Sequence, residues 1–239
     1  MSAVVEQIMG TPIVVDVRDE NADNEDLVRM FDWLRWVDAT FSTYREDSEI
    51  SRIGRGELEP ADAHQEVRSV LARCEELRGE TDGFFDARAP GSLDPSGFVK
   101  GWAVDRAAEL LQDAGRDDFA VSAGGDMRVV GRAWRVGIQH PLAGNKVAAV
   151  FETGDLAIAT SAAYARGDHV LDPHTGRAPA GVLSVTIVGP ELGTADAYAT
   201  AAFAMGARGP QWTARLSGYE AMTILIDETV LTTGGFPDV

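Results

Sequence analysis

Thr194-Ala-Asp-Ala-Tyr-Ala-Thr-Ala-Ala-Phe-Ala-Met205 is an alanine-rich stretch set between two strand-like runs, Ser184–Val188 and Glu220–Ile226. Alanine leads the helix propensities, so the stretch reads as a helix. Working outward, Phe119–Ser122, Arg128–Val130, Trp134–Ile138, Ala148–Glu152 and Leu156–Ala159 all read as strands. Thr229–Thr233 closes a hairpin with Glu220–Ile226 around Asp227-Glu228. One helix inside a succession of strands breaks the strict alternation that a doubly wound sheet requires. The expected class is therefore α+β, with mixed, mainly antiparallel sheets and helices packed on them.

The first half of the chain supplies the other helices. Thr11–Val17 alternates polar and apolar residues as a strand does. Glu25–Thr40 follows as an amphipathic helix, with Leu27, Met30, Phe31, Leu34 and Val37 at helical spacing and Asn24 as the expected N-cap. Ser42–Ile53 reads as polar and irregular. Asp62–Arg78 is a second helix, with Val67, Val70, Leu71, Cys74 and Leu77 facing one way. Gly101–Ala114 is the third, closed by Gly115. There are no repeats and no low-complexity linker, so residues 1–239 read as a single domain with room for two lobes.

Composition narrows the function classes. Hydrophobic residues make up 45% of the 239, enough for a packed core. A formal net charge of -17 argues against nucleic acid, whose phosphates need a basic patch. An acidic chain that binds a phosphate ligand needs a counterion, and a divalent metal is one. The single cysteine, Cys74, rules out an internal disulfide framework and sits in an apolar stripe. Neither a basic leader nor a long apolar run is visible, so a cytoplasmic protein without a membrane anchor is expected.

Five local patterns carry chemistry. Asp196 and Thr200 stand one helical turn apart and present a carboxylate and a hydroxyl on one face. Both are hard oxygen donors of the kind Mg²⁺ takes; the plainer alternatives are a dipole-complementing Asp and a Thr bonded back to its own helix. Ala123-Gly-Gly-Asp126 follows a strand and reads as a tight turn, or as a close ligand approach with Asp126 as a polar contact. His169-Val-Leu-Asp-Pro-His-Thr-Gly176 places two histidines about a turn, where they read as a general base, as metal ligands at a spacing that fits no zinc pattern, or as plain surface histidines. Asp94-Pro-Ser-Gly-Phe-Val-Lys-Gly-Trp102 enters the third helix through a glycine-rich bend, with Lys100 either a charge for phosphate or solvated. Phe41–Arg52 holds Tyr44, which can stack on a flat ring or lie in a solvated connection.

In this order the patterns resemble the FAD:protein FMN transferase family, the ApbE-like flavin transferases. The matching stretches are Met9-Gly-Thr11, Phe41–Ser51, Thr81-Asp-Gly-Phe-Phe-Asp86, Gly97–Asp105, Gly124-Gly-Asp126, Trp134–Pro141, Thr160-Ser161, His169–Gly176 and Ala195–Thr200. The resemblance implies an α+β, T-fold-related architecture. It implies Mg²⁺-dependent transfer of the FMN half of FAD to a Thr or Ser hydroxyl of an acceptor flavoprotein domain, with release of AMP. Hydrolysis of FAD to FMN and AMP is the alternative within the family, and a non-catalytic flavin-binding protein is the alternative outside it.

By the same resemblance, Asp196, Thr200 and the backbone carbonyl of Val99 are the metal ligands. Met9, Tyr44, Phe84, Phe85, Asp86, Ser96, Lys100, Trp102, Asp126 and His169 line the FAD site, with His169 the catalytic residue. The chain departs from the family pattern in three places. Only Ala87–Leu93 separates Phe85-Asp86 from Asp94, where a longer insertion is common; Pro95-Ser96 replaces a Leu-Gly-like pair; Trp102 replaces a common tyrosine. The short Ala87–Leu93 segment bears on the rim of the FAD pocket and on acceptor docking.

Overall fold

The computed structural model describes residues 3–19, 24–89, 91–162 and 170–238. Its frame is one eight-stranded antiparallel sheet. In chain order the strands are β1 (Val4–Ile8), β2 (Thr11–Val17), β3 (Phe119–Ala123), β4 (Asp126–Val130), β7 (Leu156–Ala162), β8 (Val182–Gly189), β9 (Glu220–Leu225) and β10 (Val230–Thr232). They lie side by side in that same sequence. A separate two-stranded ribbon is formed by β5 (Trp134–His140) and β6 (Ala143–Thr153).

Among the described residues the helices arrive as two insertions into this meander. α1 (Asn24–Phe41), α2 (Glu49–Gly54), α3 (Gln65–Glu80) and α4 (Ser96–Asp113) all fall between β2 and its sheet neighbour β3. α5 (Leu192–Ala204) and the short α6 (Gly209–Thr213) fall between β8 and its neighbour β9. α4 packs on β3 and β4, and α5 on β7 and β8, so both helices cover one face of the sheet.

Strand periodicity explains the layering. Successive side chains on a strand point to opposite faces. Ala157 and Ala159 of β7 therefore join the cluster under the helices, while Ile158 joins the cluster under the ribbon. Val130 and Val129, and Ile187 and Val188, divide in the same way. The ribbon contributes Trp134, Val136, Ile138 and Phe151 to its side. β8 is covered on both faces, which is why Val182–Gly189 is apolar along nearly its whole length.

The structure bears out the α+β class and the antiparallel sheet, and it corrects three local readings. Ser42–Ile53 is not wholly irregular: α2 occupies Glu49–Gly54, with Ser48 Oγ accepting from Ser51 N at 3.1 Å as its N-cap. Six residues are too few for a hydrophobic period to show. Asn24 is the first residue of α1 rather than its flanking cap. The third long helix begins at Ser96, not Gly101.

The reason for that last correction is tertiary. A Cβ on Gly101 would lie 2.5 Å from the Leu192 carbonyl oxygen and 2.7 Å from Gly193 N. Glycine stands there because two helices touch backbone to backbone, not because the chain bends. On α3, Val67, Val70, Cys74 and Leu77 are buried as expected, while Leu71 is only half-buried.

Candidate active site

α5 is apolar almost all round and lies in the interior, as a helix of that composition must. Asp196 rides on it at 4% exposure. A buried carboxylate needs a partner, and α4 supplies one: the Lys100 ammonium stands 3.4 Å from Asp196 Oδ2. The same ammonium is ion-paired with Asp126 Oδ2.

Asp126 is 3% exposed and opens β4 directly after the Gly124-Gly125 turn. Its Oδ1 accepts from the Thr160 backbone N–H of β7 at 2.8 Å. Thr200, one turn beyond Asp196, has its Oγ1 3.4 Å from Ser161 Oγ. Three of the sequence patterns, far apart along the chain, thus meet where α4 crosses α5.

Other expected site residues border this crossing. A Cβ on Gly97 would meet the Phe85 ring at 3.3 Å and Thr200 Oγ1 at 3.6 Å, so Phe85 lies against the start of α4 beside Thr200. Met9 and Gly10, both at positive φ, turn the β1–β2 hairpin. That turn neighbours Gly124, whose Cβ would fall 2.5 Å from Thr11 Oγ1 and whose N–H donates to the Pro12 carbonyl. Phe84 is buried, with His174 edge-on at 4.6 Å and the Arg208 guanidinium 4.9 Å over its ring. Val99 is buried inside α4, where a helical carbonyl keeps only its second lone pair for another ligand.

Some expected residues stand elsewhere. Trp102 is two residues from Lys100, which puts the two side chains on opposite sides of α4. Its ring packs with Trp33 and Phe41 at 5.3 and 5.4 Å, in the seam with α1. Tyr44 is 95% exposed. Ser96 is exposed, and Asp86 Oδ1 accepts from Arg88 N in a local turn. His169 lies outside the described residues. The second histidine of its motif, His174, has Nε2 3.0 Å from the Asp82 carbonyl and ties the Asp172–Gly176 turn to the Thr81–Phe85 turn.

The donor set indicates which cation the site suits. Among the described residues there is no group of three or more His, Cys, Asp or Glu able to hold a metal ion. A tetrahedral zinc centre is therefore not built from them. One carboxylate and one hydroxyl on a helix face fit Mg²⁺, which keeps several waters and binds through one or two carboxylates plus ligand phosphates.

The family model described as ApbE matches residues 9–90 and 87–223. The chain belongs to the ApbE family. It is similar to a protein named FAD:protein FMN transferase from Vibrio cholerae, with 33% identity over 167 residues, 64% of this chain and 50% of that protein. A second so named, from Rhodobacter capsulatus, is 32% identical over 169 residues, 61% of this chain and 32% of its own. The matched part of the chain thus spans half or less of these relatives' length. The solved flavin transferase ApbE of Vibrio cholerae has a TM-score of 0.86 at 26% identity, over 98% of this chain and 97% of that one. The ApbE protein of Thermotoga maritima shares the fold, with a TM-score of 0.85 at 22% identity over 98% and 97%.

Within this ApbE-family chain the electrostatics of the helix crossing are unequal. Burial disfavours the charged Lys100, but the Asp196 and Asp126 carboxylates outweigh it and hold the ammonium above the ordinary lysine range. Asp105, one turn after Gly101, behaves oppositely. Burial raises its carboxyl to about 6, against a hydrogen bond from Gly193 N to Oδ2 at 2.9 Å. Its Oδ1 is buried with no hydrogen-bond partner among the described residues.

Sequence reading singled out neither Asp105 nor Ser161 as a site residue. Ser161 was findable, because it shares the strand face of Ala157 and Ala159 and so must look at α5. Asp105 was findable as a carboxylate among Val104, Ala107 and Ala108 in an inward-facing helix stripe.

Proposed function

We propose that the chain is a Mg²⁺-dependent FAD:protein FMN transferase, joining the FMN half of FAD to a Thr or Ser hydroxyl of an acceptor flavoprotein and releasing AMP. The observation that carries this reading is the meeting of Lys100, Asp126, Asp196 and Thr200 at one helix crossing, in a chain whose relatives are named for that activity. Residues 1–239 are read as one flavin transferase domain.

Asp196, Thr200 and the Val99 carbonyl would hold the Mg²⁺. When bound, that ion neutralises charge building on the pyrophosphate oxygens. The residues of the chain do the rest. Lys100 adds a positive charge on the flank facing Asp126, and Asp126 is fixed by the Thr160 N–H so that the lysine is held in place. Met9, Phe84, Phe85, Asp86, Ser96, Tyr44 and Trp102 are the proposed FAD contacts, with Phe85 beside Thr200 at the start of α4.

The acceptor oxygen forms a bond to the phosphorus of the FMN half. The bridging P–O bond breaks, and its electron pair leaves with AMP. The hydroxyl proton passes to a base, for which His169 is proposed. Incubation with FAD and Mg²⁺, with and without a flavoprotein acceptor domain, tests the reading by intact mass. A covalent FMN adduct with matching AMP is expected. FMN and AMP in equal amounts without an adduct would convert the reading to hydrolysis, and intact FAD in both arms would overturn it.

A further inference from the structure

The geometry of the α4–α5 crossing raises a question of charge. Asp126 and Asp196 are both nearly fully buried, and Lys100 lies against both while remaining about a quarter exposed. Lysine is charged at any physiological pH. Lys100 thus brings one positive charge to two negative ones. A cation coordinated to Asp196 Oδ2 at about 2.1 Å, the Mg²⁺ distance, would share that oxygen with an ammonium only 3.4 Å away from it.

Two cations on one carboxylate oxygen repel strongly in a site screened from water. The lysine has somewhere to go, because its second partner, Asp126, is anchored independently by the Thr160 N–H. Leaving the pocket altogether would cost the buried Asp126 carboxylate its ion pair.

We propose that Lys100 is a resident counter-ion of Asp196 that a divalent metal must displace, so that the site holds a lone metal ion weakly and takes it up together with a pyrophosphate-bearing ligand. The proposal rests on the assignment of Asp196 as a metal ligand. Displaced from Asp196, the ammonium keeps Asp126 and turns its remaining hydrogens toward the incoming anion. The negative ligand offsets the repulsion between lysine and metal. Metal and ligand therefore bind with positive coupling, which by linkage is the same in either order. The lysine makes the metal-free protein stable and defers metal uptake until the flavin nucleotide arrives.

Mn²⁺ serves as the probe, titrated by electron paramagnetic resonance and by thermal shift, with FAD affinity read from flavin fluorescence. The proteins are wild type, Lys100→Gln, Lys100→Arg and Asp196→Asn. Removing the charge in Lys100→Gln is expected to tighten binding of Mn²⁺ alone by roughly tenfold or more. It should also lower the metal-free melting temperature and enlarge the rise that Mn²⁺ produces. Lys100→Arg keeps the charge and should bind Mn²⁺ alone about as weakly as wild type. The factor by which Mn²⁺ improves FAD binding should shrink in Lys100→Gln.

Unchanged or weaker Mn²⁺ binding by Lys100→Gln, with Asp196→Asn losing the metal, would overturn the counter-ion role and leave the metal assignment standing. Mn²⁺ binding by Asp196→Asn equal to wild type would overturn the metal assignment itself, and the proposal with it. If Lys100→Gln does not fold, Lys100→Arg binding Mn²⁺ alone roughly tenfold or more tighter than wild type still overturns the charge argument, and binding as weak as wild type supports it.

Discussion

Gly101→Ala sets two known effects of opposite sign against each other. In a helix interior, alanine is more stable than glycine by about 1 kcal/mol. Gly101 lies well inside α4 and has no positive φ, so propensity alone predicts a gain. Packing predicts the reverse. The new Cβ would lie 2.5 Å from the Leu192 oxygen, 2.6 Å from its carbonyl carbon and 2.7 Å from Gly193 N. A carbon normally meets a carbonyl oxygen at about 3.3 Å or more, so the helices must part by nearly 1 Å. The obstacle is backbone on α5, which cannot rotate away as a side chain can.

Overpacking of this kind costs about 1–3 kcal/mol. Because the clash is with main chain, the upper half of that range applies, and it leaves a net loss of about 1–2 kcal/mol after the propensity gain. For a chain of this size that is a fall in Tm of about 2–8 °C. Gly79→Ala is the internal control: it lies in α3 and its Cβ meets nothing within 4 Å. Propensity alone acts there, and Tm should rise by about 2–4 °C. Calorimetry on the two variants decides the matter. A Gly101→Ala protein that melts with or above wild type would refute the backbone contact between α4 and α5, and with it the placement of Lys100 against Asp196.

Two further outcomes follow from buried groups. Asp105 has its carboxyl raised by burial from 3.8 to about 6, with Arg128 opposing and Glu191 adding to the effect. The stability that goes with its protonated form is complete below 3.8 and is lost as pH rises through 6, about 3 kcal/mol in all. Asp105→Asn keeps an oxygen for Gly193 N, so it should be more stable than wild type at pH 7.5, with the gap closing by pH 4; a urea-midpoint difference that does not change with pH would contradict this. Cys74 is buried on α3 and its thiol is pushed up to about 12 by desolvation. At pH 8 it should resist iodoacetamide in the native protein and react fully in denaturant, and native labelling at a comparable rate would count against the packing of α3.

How much of this was legible in the chain depends on the range of the interaction that decides each residue. Asp196 and Thr200 share a face because they are one turn apart, and that is a property of the helix alone. The ribbon strands and the sheet strands from β2 onward were legible because strand periodicity is local, whereas β1 went unread: it is an edge strand, largely exposed, whose Val4-Val5-Glu6-Gln7-Ile8 carries no apolar alternation. Gly101 misled, because a glycine that permits a bend and a glycine that admits another backbone look the same in sequence. Only Leu192 and Gly193, far along the chain, distinguish them. Lys100 is the sharpest instance. Local pattern gave two readings for it, a phosphate-binding charge or a solvated one. In the fold it is neither alone, because β4 and α5 each bring a buried carboxylate to it. Short-range pattern supplied the donors of the site, but which charge neutralises which is written in contacts between elements. The same holds for His174, whose partners Asp82 and Phe84 sit on a turn that adjoins it only in the fold. On the proposed function, an acidic chain that takes an anionic ligand must settle its internal charges before that ligand comes. The pairing of Lys100 with Asp126 and Asp196 is where this chain does so.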